Sequence, residues 1–248
     1  MTLPKMHKYL NAATCGMLLL ADAALPAWAM VSGRQEEVFQ GIARNERGEI
    51  AYTEEHRMIY EDGRPHRNET RYRDASGQEI AVLTSNFTGN PYMPSYSFED
   101  RRSGRQDGTF VDGNWIKIYG RADQDAPVQQ DMLRLEDGMV TGQGLHMYLR
   151  DHLDELATGA PVQQVRFLVP LEGRDFVFRI RRLDTPGEPN VAAFSIEADS
   201  WLLRLFAPRL DVRYDRDTRR LLSYRGASNL LDANRSVQNV TITYRYAD

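Results

Sequence analysis

The stretch "QQVRFLVPLEGRDFVFRIRRL", Gln163 to Leu183, decides the predicted fold. Apolar and polar residues alternate on both sides of Glu172, which is the pattern of two antiparallel strands joined by a tight turn. With Gly173 and Arg174 at the tip, one face of this hairpin carries six apolar side chains: Phe167, Val169, Leu171, Phe176, Phe178 and Ile180. Such a face is too large to leave in water, so another element must cover it.

A single amphipathic helix, predicted at about residues 142–157, can provide that cover. Apolar or aromatic residues recur there at helical spacing and form one stripe: Leu145, Tyr148, Leu149, His152, Leu153 and Leu156. Thr141 is the expected N-cap, and Gly159 and Pro161 are expected to end the helix.

The rest of the chain is predicted to be mostly antiparallel β structure. Hairpin signals recur at five positions: Asn45, Glu61, Asp74, Glu172 and Asp215. The run "SWLLRLF" from Ser200 is apolar on both faces, so we expect either a bulge or a strand that is buried twice. The expected fold class is α+β, with a large curved sheet or half-barrel wrapped on one helix in a single domain, residues 30–248.

The first 29 residues read as a signal peptide. Lys5 and Lys8 precede an apolar run that ends in Ala27-Trp28-Ala29, and small residues at these two alanine positions suit signal peptidase. We therefore expect cleavage after Ala29, a mature chain that starts at Met30, and a periplasmic location. A retained anchor is the alternative, although Asn11, Asp22 and Pro26 interrupt the run.

Charge and cysteine content narrow the function classes. Removal of Lys5, Lys8 and Asp22 with the leader changes the formal net charge from −4 to −5, which disfavours a nucleic-acid partner. Cys15 is the only cysteine, so the mature chain has no disulfide and no thiol nucleophile. Lys117 is its only lysine, and the scattered arginines indicate either phosphate or carboxylate recognition or simply codon usage.

Four sequence motifs carry a resemblance. They are "GEIAYTEEHR" from Gly48, "RYRDASGQEIA" from Arg71, "FEDRRSG" from Phe98 and "YDRDTRRLLSYRGASNL" from Tyr214. Together they resemble a group of uncharacterised exported proteins of Gram-negative bacteria. The architecture of a curved sheet around a helix is distantly similar to the lipoprotein-carrier half-barrels of the LolA/LolB type. A shared architecture does not carry function, so no functional residue follows from this resemblance.

The stretch "AYTEEHR", Ala51 to Arg57, is the strongest candidate for chemistry. In a strand, Glu54 and His56 share one face, and a regular hairpin through Asp62-Gly63 places His56 opposite Glu69. This pairing is an ordinary charge ladder or, alternatively, a base oriented by a carboxylate in a hydrolase. His146 and His152 lie six apart on different helix faces, so no metal or cofactor is expected.

Three functions remain open. The first is a non-enzymatic periplasmic protein that holds a lipid or another apolar ligand in a groove between sheet and helix. Its candidate lining residues, which plain core packing would explain equally well, are Tyr148, Leu149, Phe167, Phe178 and Trp201. The second is an envelope scaffold that binds a protein partner through a sheet edge. The third and weakest is a hydrolase that uses Glu54, His56 and Glu69. No membrane span is expected after cleavage.

Overall fold

The computed structural model describes residues 33–159, 162–201, 204 and 209–247. The predicted signal peptide and its cleavage site therefore lie outside the described residues. Residues Ser32–Asp248 form one compact unit.

Within this part of the chain, fifteen strands build a single sheet. They are β1 (Arg34–Arg44), β2 (Ile50–Glu61), β3 (Arg64–Arg73), β4 (Glu79–Asn86), β5 (Ser95–Asp100), β6 (Arg105–Asp112), β7 (Trp115–Arg121), β8 (Gln129–Arg134), β9 (Met139–Val140), β10 (Gln163–Val169), β11 (Arg174–Leu183), β12 (Val191–Ala198), β13 (Leu210–Asp215), β14 (Leu221–Leu231) and β15 (Val237–Tyr246).

The sheet consists of two meanders joined at its centre. Strands β1 to β8 follow one another in space, β15 to β9 follow one another on the other side, and β1 pairs antiparallel with β15. The two edge strands are therefore β8 and β9, and β9 pairs parallel with β10. The large, curved, mostly antiparallel sheet confirms the predicted α+β class.

Asx turns close three of the predicted hairpins. The side-chain oxygen of Asn45 accepts the backbone N–H groups of Arg47 and Glu49, each at 3.0 Å. The Oδ1 atoms of Asp74 and Asp215 accept backbone N–H groups in the same way. Short polar side chains stabilise tight turns by this local bonding, which is why these positions could be predicted from the sequence.

The predicted helix is present but interrupted. It comprises α1 (Gln143–Asp151) and α2 (Leu153–Ala157), separated at His152, where φ is −99° and ψ is 17°. Gly142 takes the N-cap position with a positive φ, whereas the Thr141 hydroxyl donates to the Leu168 carbonyl at 3.0 Å. The prediction of Thr141 as the cap was therefore wrong, because this side chain ties the helix start to β10.

The buried face of the helices packs against one half of the sheet. Leu145, Leu149, Leu153 and Leu156 belong to a core cluster that includes Val165 and other side chains from β10 to β13. This arrangement confirms the leucine positions of the predicted stripe. A second cluster fills the other half of the sheet, around β2, β3, β4 and β15.

The Gln163–Leu183 hairpin forms with one local change. Phe167 lies opposite Phe176, and Val165 lies opposite Phe178. A two-residue turn at Gly173 and Arg174 would instead pair Leu171 with Phe176, so the predicted register was wrong. Residues Pro170–Glu172 form a 3-10 turn, so Leu171 leaves the strand and packs close to Gly120 on β7. On β10, Leu168 joins a third cluster with Ile116 and Ile118 of β7. Side chains from the two ends of the sheet therefore meet, and the sheet is rolled.

The expected strand at "SWLLRLF" is not seen in the described residues. Strand β12 ends at Ala198, and Ser200 and Trp201 follow in a bend and a turn, with Trp201 70% exposed. Leu202, Leu203, Leu205 and Phe206 lie outside the described residues.

Candidate functional site

A large cavity lies between α1 and the strands that face it. Its volume is about 560 Å³, and residues of α1, of β1 to β4, of β6, of β10 and of β12 to β15 contribute to its wall. Most wall atoms are apolar, and the aliphatic contributors are Met58, Leu83, Leu145, Met147, Leu149, Val169, Ile196, Leu210, Val212, Leu221, Ala227, Leu231, Val237 and Ile242. A concave apolar space of several hundred Å³ is typical of small-molecule binding sites.

Two buried and two half-buried tyrosines form an aromatic wall of the cavity. They are Tyr52, Tyr72, Tyr224 and Tyr244. Burial and then the nearby Glu54 carboxylate raise the pKa of each of these phenols, so all four stay neutral. Three of the hydroxyls already bond elsewhere in the protein, to Ser228, Asn229 and the Ala227 carbonyl.

Glu54 and His56 lie on the inner face of β2, inside this cavity. They are 5% and 7% exposed, and the His56 Nε2 atom lies 2.9 Å from Glu54 Oε2. The His56 ring stacks on Phe39, with ring centroids 4.3 Å apart and planes 6° apart. The prediction that Glu54 and His56 share a face with Tyr52 and Met58 is confirmed, since all four line the cavity.

The predicted pairing of His56 with Glu69 is wrong. A bulge between Ile59 and Tyr60 shifts the β2–β3 register by one residue, so His56 lies opposite Thr70 and Arg57 lies opposite Glu69. Glu69 therefore sits on the outer face, where its carboxylate is 2.7 Å from Arg71 Nε. Glu54, His56 and Glu69 are not brought together as a catalytic set.

Thr70 connects His56 to two side-chain amides. Its hydroxyl oxygen lies 2.9 Å from His56 Nδ1, accepts from Asn68 Nδ2 at 2.9 Å, and accepts from Gln143 Nε2 at 3.1 Å. Two donated hydrogen bonds fill the acceptor capacity of the hydroxyl, so its own proton points to His56 Nδ1. His56 is then neutral and donates from Nε2 to Glu54. Neither ring nitrogen is left to act as a base on a substrate.

Three arginines, Arg150, Arg219 and Arg220, line another part of the same cavity, and we call them the arginine rim. Each is already engaged: Arg150 bonds the Tyr60 hydroxyl, Arg219 bonds Asp154, and Arg220 Nε lies 3.1 Å from Glu37 Oε1. The Arg150 and Arg220 guanidinium groups also lie over the rings of Tyr60 and Tyr246. Arg219 and Arg220 are therefore paired with carboxylates, whereas Arg150 is hydrogen-bonded to a neutral phenol.

His146 of α1 also faces the cavity. Its Nδ1 atom lies 2.8 Å from the hydroxyl of Tyr214, whose pKa is raised by burial, so the phenol donates to the imidazole. Burial, followed by the positive charge of Arg150, lowers the pKa of His146 to about 3. This histidine is neutral at physiological pH.

The five predicted lining residues are separated in the structure. Leu149 and Phe167 line the large cavity. Tyr148 instead lines a second pocket of about 380 Å³ with Tyr92 and His152. Phe178 packs against the core cluster under the helices, and Trp201 lies on the surface. The residues that sequence reasoning missed are the tyrosine wall and the arginine rim, which come from strands far apart in the chain.

Other kinds of site are not visible in the described part of the chain. No group of three or more histidine, cysteine, aspartate or glutamate side chains there could hold a metal ion. None of the helices described is both long enough and apolar enough to cross a membrane. A scan against models of known protein families matches none of them, and a search of curated proteins finds no significant relative.

Proposed function

We propose that this protein binds an apolar or amphipathic small molecule, such as a lipid, in the cavity between α1 and the sheet. The observation that carries the proposal is the cavity of about 560 Å³ with its largely apolar wall. An apolar space of this size loses packing contacts when it is empty, whereas an apolar ligand restores them.

In the proposed role the protein binds its ligand and does not catalyse a reaction. Both ring nitrogens of His56 are held by protein groups, and the Nδ1 atom of His146 is held by Tyr214. Glu69, the third member of the hydrolase hypothesis, lies on the other face of the sheet. These contacts favour a carrier or sensor over a hydrolase.

We further propose that the protein acts in the periplasm. This proposal rests on the signal-peptide pattern before Met30. The likeness to LolA/LolB-type carriers and to exported proteins stays a prediction.

Two leucines on the same buried helix face provide a matched test. Leu149 and Leu153 are 1% and 0% exposed and share a core cluster, but of the two only Leu149 lines the cavity. Leu153→Ala should cost about 2–5 kcal/mol of unfolding free energy, and Leu149→Ala should cost less, because its surroundings are already partly empty. Denaturant unfolding measures both values.

Ligand binding completes this test. A neutral apolar fluorophore, N-phenylnaphthylamine, should bind the wild-type protein and be displaced by decanol. Leu149→Ala should change its affinity, whereas Leu153→Ala should leave it unchanged. Absence of probe binding, together with equal destabilisation by the two substitutions, would show that the helix covers an ordinary core. Mass spectrometry of lipids extracted from the purified protein would identify a natural occupant.

Partner binding through a sheet edge is the second candidate. Strand β8 is an edge strand, and Met132 on it is 52% exposed, in register with Lys117 and, one strand further, with Phe110, which is 54% exposed. An extended segment of an envelope protein could add to such an edge. A photo-crosslinker at position 132 should then trap one partner reproducibly in cells, and a crosslinker at the exposed Arg216 should not.

A further inference from the structure

Four polar residues of the cavity wall, Glu54, His56, Asn68 and Gln143, form one connected cluster through the buried Thr70. We call Glu54, His56, Asn68, Thr70 and Gln143 the polar floor. Every proton donated within the floor is accounted for: Asn68 and Gln143 donate to Thr70, Thr70 donates to His56, and His56 donates to Glu54. Each amide uses one of its two N–H groups on Thr70, and its side-chain oxygen takes no part in these hydrogen bonds.

Two of the remaining acceptors have no partner in the protein. The side-chain oxygens Asn68 Oδ1 and Gln143 Oε1 are both buried without a hydrogen bond, and both residues line the cavity. Buried carbonyl oxygens without a partner are costly and uncommon in folded proteins. A ligand with hydrogen-bond donors could provide the missing partners.

Glu54 adds a negative charge without a matching cation. Among the described residues, the one hydrogen bond to its carboxylate comes from the neutral His56, and no arginine or lysine lies within ion-pair distance. The cavity arginines are engaged elsewhere, with Arg105 on Asp107 and the rim on its own partners. A buried carboxylate in an apolar space is strongly stabilised by a cation that reaches it.

We propose that the polar floor binds the protonated primary amine of an amphipathic ligand, whose apolar body fills the rest of the cavity. This inference rests on the proposed function of the cavity. An alkylammonium group carries one positive charge and three N–H donors, which match one carboxylate and two unpartnered amide oxygens. The rings of Tyr52, Tyr72, Tyr224 and Tyr244 also attract a cation that approaches their faces. The ligand class is therefore amine-bearing lipids and long-chain or aromatic amines.

Four ligands with the same apolar chain test the headgroup by calorimetry at neutral pH. Decylamine should bind at least about tenfold more tightly than decanol and decanoate. Decyltrimethylammonium carries the charge but no N–H donors, so it should bind about tenfold more weakly than decylamine. Equal affinities for the amine and the alcohol would overturn the inference and leave the apolar cavity intact. Equal affinities for the two cations would refute the role of the amide oxygens. Binding of none of the four would refute the cavity function itself.

Neighbouring carboxylates on β2 provide the matched variants. Glu54→Gln removes the charge from the floor with little change in volume, and the preference for decylamine over decanol should fall about tenfold. Glu55 points to the outer face, so Glu55→Gln should keep the preference. If folded Glu54→Gln keeps the wild-type preference for decylamine over decanol, Glu54 is not the group that binds the ammonium ion. If that variant does not fold, the headgroup series on the wild-type protein decides the question.

Discussion

Gly41 on β1 lies directly opposite Glu54 on β2, and the missing side chain of the glycine leaves the space that the Glu54 carboxylate occupies. A Cβ atom at position 41 would lie 2.8 Å from Glu54 Oε2 and 3.0 Å from both Ile242 and Tyr244. Gly41 therefore allows the carboxylate to point into the cavity.

Gly41→Ala should displace the Glu54 carboxylate. We expect a loss of about 1–3 kcal/mol in unfolding free energy, since Ile242 and Tyr244 must also move. Gly89, where a Cβ atom meets nothing within 4 Å, is the control, and Gly89→Ala should stay within about 0.5 kcal/mol of the wild type. Denaturant unfolding compares the two variants, and equal values would argue against the tight fit at Gly41.

Gly144→Ala should destabilise the protein even though alanine is the better helix former. In an exposed helix this substitution stabilises by roughly 0.5–1 kcal/mol. Here the added Cβ would lie 1.9 Å from the carbonyl oxygen of Tyr92, so the start of α1 must move away from that loop. Hydrogen exchange should then become faster along α1. A stabilised variant would show that the loop moves aside without cost.

His146 should make stability depend on pH. Its pKa is about 3 in the folded protein, whereas an unperturbed histidine, as in the unfolded chain, has a pKa of 6.5. The unfolded chain therefore takes up a proton first as the pH falls. The unfolding free energy should decrease from pH 6.5 down to about 3, by up to about 1.4 kcal/mol per pH unit.

His146→Asn isolates this effect, because the asparagine oxygen can still accept from the Tyr214 hydroxyl but does not titrate. The difference in unfolding free energy between the two proteins should therefore vary with pH below 6.5 and be constant above it. Parallel stability curves over the whole range would contradict a neutral, buried His146.

Trp201 should contribute little to stability or binding, because its side chain is 70% exposed. Trp201→Ala should change the unfolding free energy by no more than about 0.5 kcal/mol and leave probe affinity unchanged. Reduced probe binding by this variant would mean that the tryptophan covers the cavity in solution.

We predict that the protein is exported and that its mature chain begins at Met30. Ala27 and Ala29 supply the small side chains that signal peptidase requires, at the end of an apolar run. N-terminal sequencing of periplasmic material checks this directly, and a mature chain that retains Met1 would remove the basis for the periplasmic proposal.

The sequence by itself determined the local structure of this protein. Period-two alternation predicted the strands and the shared face of Glu54 and His56, and Asx-type residues such as Asn45 predicted the turns. Leucines at helical spacing predicted which side of α1 and α2 is buried. These features depend on interactions between residues a few positions apart, so the order of residues carries them.

Only the tertiary structure decided what the inner face contacts. One extra residue in β3, near Pro65, shifts the register and places Thr70, instead of Glu69, opposite His56. The cavity depends on the pairing of β1 with β15 and on the docking of α1, which join residues from distant parts of the chain. A period-two pattern specifies the face of a strand but not its partner, because a bulge changes the pairing without changing the alternation on either side.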